Sequence, residues 1–183
     1  MDYYLFNLVN QFAGRSGILD ALMTGLAKYG VVMLALPLLY MWFRGGPAAK
    51  KAALLSLLSM ALALVINQVI GHIYFRPRPF AAHGVNLLVE KSADPSFPSD
   101  HTAFVFGIAW LLWLQNRRVG YVALAMGVVV ALSRVFIGTH YPGDVLGGAL
   151  IGLGTSLLVW NLRTVLDPVT SFLISIARKL RLA

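Results

Sequence analysis

Apolar residues run along this chain in five stretches of roughly the ~20 residues that a helix needs to cross the hydrocarbon of a bilayer. They are Leu19–Phe43, Ala52–Phe75, Thr102–Gln115, Val119–Ile137 and Val145–Leu162. The third is short and would borrow Pro98–His101 as its first turn. Two weaker segments flank them. Met1–Gly14 reads as a short helix with Tyr3, Tyr4, Phe6 and Phe12 at the interface, where aromatic belts form. Val165–Ala183 has apolar residues at helical spacing and ends in Arg178, Lys179 and Arg181, which suits a helix lying on an anionic membrane surface. A sixth span is the alternative there. The pattern predicts an all-α, polytopic membrane helix bundle of about five transmembrane helices, with interfacial helices at both termini.

Composition agrees. Of 183 residues, 58% are hydrophobic and 12% charged, whereas soluble domains carry about 25% charged residues. The length suits one membrane domain over residues 1–183, with no room for a sizeable soluble one. No cysteine is present, which excludes disulfides, thiolate metal sites and cysteine nucleophiles. The start lacks the basic n-region and cleavage site of a signal peptide.

The net charge of +8 is not gathered into a basic soluble domain, so no nucleic-acid partner is expected. It is explained by topology. One set of connections holds Arg44, Lys50, Lys51, Arg117, Arg118, Arg163, Arg178, Lys179 and Arg181. The other side holds Arg15, Lys28, Arg76, Arg78, Lys91 and Arg134. Basic loops stay cytoplasmic, so the loops after spans two and four should face outward. In span five, Gly143, Gly147, Gly148, Gly152 and Gly154 would let a neighbouring helix approach closely, within the bundle rather than at a dimer seam. The oligomeric state is not legible.

Those outward loops hold three polar clusters. Arg76-Pro77-Arg78-Pro79 ends span two, because each proline pushes its predecessor toward extended backbone. It presents two guanidiniums from a stiff loop, suited to phosphate oxygens; two interfacial anchors would look the same. Pro98-Ser99-Asp100-His101 opens span three. Ser99 is an N-cap candidate at a helix end that attracts anions, with His101 just inside as a proton donor. In Ser133–Asp144, Arg134 closes span four, Gly138 could terminate that helix, and His140 stands four residues before Asp144. If that turn is helical, the carboxylate reaches one imidazole nitrogen and leaves the other as nucleophile or base. Gln68, His72 and Asp100 are accessory candidates, and Glu90, Lys91 and Asp94 shape the outer loop or gate it.

No carboxylate pair suits a glycosidase, and no Walker A loop is present. A His/His/Asp metal site sits poorly beside several arginines unless phosphate bridges them. The inventory suits metal-free phosphoryl transfer, with arginines neutralising the phosphoryl oxygens. No metal or other cofactor is expected.

These residues resemble the type 2 phosphatidic acid phosphatase family. Its second and third motifs, Pro-Ser-x-His and Ser-Arg-x5-His-x3-Asp, are matched by Pro98–His101 and Ser133–Asp144. The likeness spans Asn67–Gly148, and its wording is similar to the bacitracin-resistance branch that acts on undecaprenyl diphosphate in cell-wall synthesis. The resemblance implies a phosphohistidine on His140, Asp144 as its orienting acid and His101 as the acid that serves the leaving group. It also implies that Arg76, Ser99 and Arg134 hold the phosphoryl oxygens. One departure stands out. The lysine of the family's first motif falls on Val69 when counted from Arg76, or on Gly71 when counted from Arg78. Arg78, Gln68 or His72 would replace its charge. The implied protein is a multi-pass enzyme of the cytoplasmic membrane whose partners are the bilayer and a polyprenyl diphosphate, with its site facing outward. The alternatives are a phosphatase of phosphatidylglycerophosphate or phosphatidate, and a non-catalytic lipid-diphosphate carrier or drug-export subunit.

Overall fold

A computed structural model describes residues 1–90, 94–180 and 182. Lys91 and Arg181 of the charge and loop arguments lie outside them. The chain folds into α1 (Asp2–Asn10), α2 (Gly17–Arg44), α3 (Pro47–Ile73), α4 (Pro79–Ala82), α5 (Asp100–Gln115), α6 (Arg117–Phe136), α7 (Pro142–Asn161) and α8 (Asp167–Lys179). Local chemistry sets several boundaries. Ser16 accepts from Leu19 N–H before α2, Asn116 from Arg118 and Val119 N–H before α6, and Pro47 and Pro142 occupy first turns, where a missing N–H costs nothing.

Four helices, α2, α3, α6 and α7, are long and apolar enough to cross a membrane. Their outer faces carry exposed Leu22, Val32, Leu36, Val65, Val122, Leu146 and Leu150, as lipid contact requires. The third predicted span, α5, differs. Its sixteen residues reach only about 24 Å, and nine of them are buried. It runs through the middle of the bundle, packed on α3, α6 and α7. The apolar core gathers around it, with Leu34 and Leu38 of α2, Ala53 of α3, Val105, Phe106, Ile108 and Leu112 of α5, and Val130 of α6.

The span-five glycines serve that packing. A Cβ on Gly152 would lie 2.6 Å from Gly107 N, and one on Gly148 would lie 2.6 Å from Ser99 O. Backbones in such contact pin the start of α5 to the start of α7. Hydroxyls reinforce the bundle, since Ser59 bonds Thr155 and Ser156 at 3.2 and 3.0 Å. At thirteen residues, about 20 Å, α8 is too short to be a sixth span. It packs on α3, where Lys51 pairs with Asp167.

Because the long helices alternate in direction, one end of the bundle collects the ends of α3 and α6, the starts of α5 and α7, and all of α1. The 74–99 connection crosses that end and is tied down. Asn10 donates to Asn86 O at 2.9 Å and to Phe136 O at 2.8 Å, and Ser96 N–H donates to Arg76 O at 2.8 Å.

Candidate active site

At that end the site is built around His140, buried in the turn between α6 and α7. Gly138, at φ +88°, ends α6 in the left-handed conformation that favours glycine, and the chain turns back there toward α7. The ring is held from both sides. Its Nδ1 lies 2.9 Å from Ser96 O, and its Nε2 lies 2.9 Å from Arg78 Nη1. A carbonyl can only accept and a guanidinium can only donate, so Nδ1 carries the proton and Nε2 the lone pair. Burial is the main force pushing this imidazole down to about 4, aided by the charges of Arg78 and Arg134 and opposed by Asp144. The ring is therefore neutral near pH 7.

Asp144 stands otherwise than the sequence suggests. His140 precedes α7 rather than joining its first turn, and the carboxylate comes no nearer to Nδ1 than 3.7 Å. It is fully occupied. Oδ1 accepts from Arg76 Nη1 at 2.7 Å, and Oδ2 accepts from Tyr141 N–H at 2.8 Å and from the Ser96 hydroxyl. Ser96 thus touches both members of the pair, taking the imidazole proton on its carbonyl and giving its own to Asp144.

The two motif arginines separate. Arg78 is buried and reaches His140, Thr139 O at 2.9 Å and both carboxylate oxygens of Asp94 at 3.1 and 3.0 Å. Arg76 is engaged by Asp144 and by Asp2 of α1, whose other oxygen accepts from Gly143 N–H at 2.9 Å. Its guanidinium also lies 4.2 Å over the Tyr141 ring. Arg76 braces the acid, whereas Arg78 faces the histidine.

Arg134 is buried on α6, and its Nη1 donates to Ala27 O at 3.2 Å. Its Nε has no hydrogen-bond partner, and no described carboxylate pairs with it. Ser99 caps α5 by position only. Its hydroxyl accepts from Thr102 Oγ1 at 3.0 Å, while its N–H donates to Asp144 O at 3.1 Å. His101, on the first turn of α5, faces a cavity of about 530 Å³ together with Gln68 and Asp100. Gln68 donates to Asp100 at 3.2 Å, and His72 turns its Nδ1 to Gln68 O at 2.7 Å. Since Arg78 is the arginine at His140, the first-motif lysine position corresponds to Gly71. A Cβ there would meet nothing nearer than 3.9 Å, and the residue lines a pocket of about 320 Å³ beside Asp94 and Asp100.

Sequence reasoning passed over Asp2, Ser96 and Asn67. Asn67 was legible as a polar residue inside an apolar span, and it donates to Asp100 at 2.7 Å. Ser96 lies three residues before Ser99 in one polar stretch. Nothing near Asp2 signals a partner 74 residues away. Among the described residues no three His, Asp or Glu side chains converge as a metal site.

A histidine whose Nε2 lone pair meets only a guanidinium, a second buried guanidinium nearby and a braced acid, at one end of a membrane bundle, define a lipid-phosphatase type of site. The chain belongs to the PAP2 superfamily, whose pattern matches residues 52–167. It is 34% identical to the undecaprenyl-diphosphatase BcrC of Bacillus subtilis (strain 168) over 96% of this chain and 91% of that protein. It is 31% identical to the undecaprenyl-diphosphatase of Sulfolobus acidocaldarius over 84% of this chain and 74% of that one. The fold matches the crystal structure of Aquifex aeolicus LpxE with a TM-score of 0.75 at 28% identity, covering 87% of this chain and 94% of that one. It also matches a transmembrane PAP2-type phosphatidylglycerolphosphate phosphatase from Bacillus subtilis, with a TM-score of 0.68 at 27% identity over 88% and 83% of the two chains.

Proposed function

We propose that this multi-pass membrane protein is a phosphatase that removes the terminal phosphate of undecaprenyl diphosphate at the outer face of the cytoplasmic membrane. The observation that carries the reading is the neutral, buried His140, with its Nε2 lone pair aimed at Arg78.

The chemistry follows from the site. Arg78 and Arg134 hold the terminal phosphoryl oxygens, joined by the helix N-terminus that α5 presents behind Ser99. The arriving phosphate draws Arg78 off Nε2 and frees the nucleophile. Nε2 attacks phosphorus, the anhydride bond breaks, and His101 gives its proton to the departing oxygen. Undecaprenyl phosphate leaves. His101 then takes a proton from water, which attacks the phosphohistidine and releases inorganic phosphate. During attack the imidazole gains positive charge, which Ser96 O and the braced Asp144 stabilise. A lipid tail in the bilayer would present its headgroup at this level, and the excess of basic residues at the far end supports the outward orientation.

Phosphate release from undecaprenyl diphosphate by the purified protein, wild type against His140→Ala, tests this. Loss with the variant is expected; equal rates would overturn it. Preference for phosphatidylglycerophosphate would instead move the substrate toward that of the structurally similar Bacillus enzyme.

A further inference from the structure

A second cation lies on the leaving-group side of this site. Lys28 is on α2, eleven residues after Gly17 and so about 16 Å along the helix. Within a span, an ionisable residue is costly and marks function by default. Among the described residues no carboxylate forms an ion pair with Lys28. The preceding residue fixes its register, because Ala27 O receives the Arg134 guanidinium.

Lys28 lines the same 530 Å³ cavity as His101, together with Val31, Leu64, Gln68, Phe104 and Asp100, whose carboxylate accepts from Asn67 and Gln68. His140, Arg78 and Arg134 do not line it. The cavity thus adjoins the proton donor rather than the nucleophile. An apolar groove shares Leu64 and Gln68 with it and continues over Val65, Val69 and Ile73 on the outer face of α3. The order from nucleophile to lipid is then His140, terminal phosphorus, bridging oxygen beside His101, second phosphate, tail.

The geometry points to Lys28 as the residue that binds the lipid-proximal phosphate of a diphosphate substrate, an inference that rests on the function proposed above. When the anhydride bond breaks, its electron pair moves to the bridging oxygen and negative charge grows on the departing lipid phosphate. The Lys28 ammonium meets that charge. A monoester lipid leaves as an alcohol and places no phosphate there. Lys28 is therefore a specificity determinant for diphosphates over monophosphates.

Full-length protein in detergent, as wild type, Lys28→Met and Lys28→Arg, is assayed for phosphate release from undecaprenyl diphosphate and from phosphatidic acid, with melting temperatures as the folding control. A charge-assisted hydrogen bond lost from the transition state corresponds to about tenfold. Lys28→Met should lower the ratio of the two kcat/KM values, diphosphate over monoester, by about that factor, and Lys28→Arg should restore most of it. Equal losses on both substrates, or an unchanged ratio, would overturn the assignment. Wild type active on phosphatidic acid but inactive on undecaprenyl diphosphate would overturn the substrate reading itself. Wild type active on the diphosphate with an indifferent Lys28→Met variant would overturn only the role of Lys28.

Discussion

Arg78 donates to Nε2 of His140 across 2.9 Å, joining residues that stand 62 positions apart in the chain. The contact caps the Nε2 lone pair, and in the proposed reaction the substrate phosphate competes for the guanidinium. In the mechanism proposed above, Arg78 therefore both holds phosphate and releases the histidine. Arg78→Ala should lower kcat by about 10²–10³, the usual cost of one lost transition-state donor. Arg78→Lys should recover little, because an ammonium cannot bridge two oxygens in one plane. Steady-state phosphate release decides; a lysine variant close to wild type would refute the fork.

Asp2, Arg76 and Asp144 form a chain of ion pairs from α1 to the site, at 2.6 and 2.7 Å. Asp144 needs Arg76 to stay in place, and Arg76 is shared with Asp2. Asp144→Asn should cost about 10² or more in kcat, by weakening support for the charged imidazole. Asp2→Asn leaves Arg76 on Asp144 and should cost only about two- to tenfold, on the scale of a half-exposed ion pair. The two kcat values with undecaprenyl diphosphate test the ranking. An Asp2→Asn loss as large as that of Asp144→Asn would mean that α1 holds the site together by itself.

How far this site was legible in sequence follows from distance along the chain. Ser99 and His101, or His140 and Asp144, are neighbours that local spacing singles out as candidates, and the apolar runs located every span. The choice between Arg76 and Arg78 was not local. It depends on Ser96 N–H bonding Arg76 O, which turns the stiff Arg-Pro-Arg-Pro loop so that its second guanidinium faces inward. Asp94, read as a loop residue, is the acid on Arg78. The orienting contact on His140 comes from a backbone carbonyl, which no side-chain pattern reveals.

The depressed His140 fixes the sign of two pH effects. Its folded-state value is about 4, against 6.5 for an ordinary histidine. Between these, the unfolded chain takes up a proton that the folded one refuses, so stability falls as pH drops from 6.5 toward 4, by about 1.4 kcal/mol per unit. Below the folded value this contribution stops changing. As the proposed nucleophile, His140 also stays deprotonated through that window, so the acid limb of kcat/KM attributable to it should lie nearer 4 than 6.5. Detergent melts and initial rates across pH 4–8 check both; an acid limb at 6.5 would refute the assignment to His140.

Phosphoryl neutralisation by guanidiniums asks nothing of a divalent cation. Phosphate release should therefore survive EDTA within about twofold, the scatter expected if no positioning group is removed. Abolition by the chelator with rescue by a divalent cation would mean that substrate phosphate recruits a metal between the arginines and Asp94 or Asp100.

Gly152 tests whether the α5–α7 contact positions the site. Its Cβ would lie 2.6 Å from Gly107 N and 2.9 Å from Phe106 Cβ, so a side chain must push the helices apart. Such overpacking costs about 1–3 kcal/mol. The strain would spread toward the helix starts, where Ser99 N–H meets Asp144 O at 3.1 Å. Gly152→Val should lower the melting temperature and reduce kcat, although the residue lies about three turns from His140. Gly154, with open space around it, should accept Val without either effect. Matching behaviour of the two variants would show that the bundle tolerates the displacement and that α5 is not held in register by this contact.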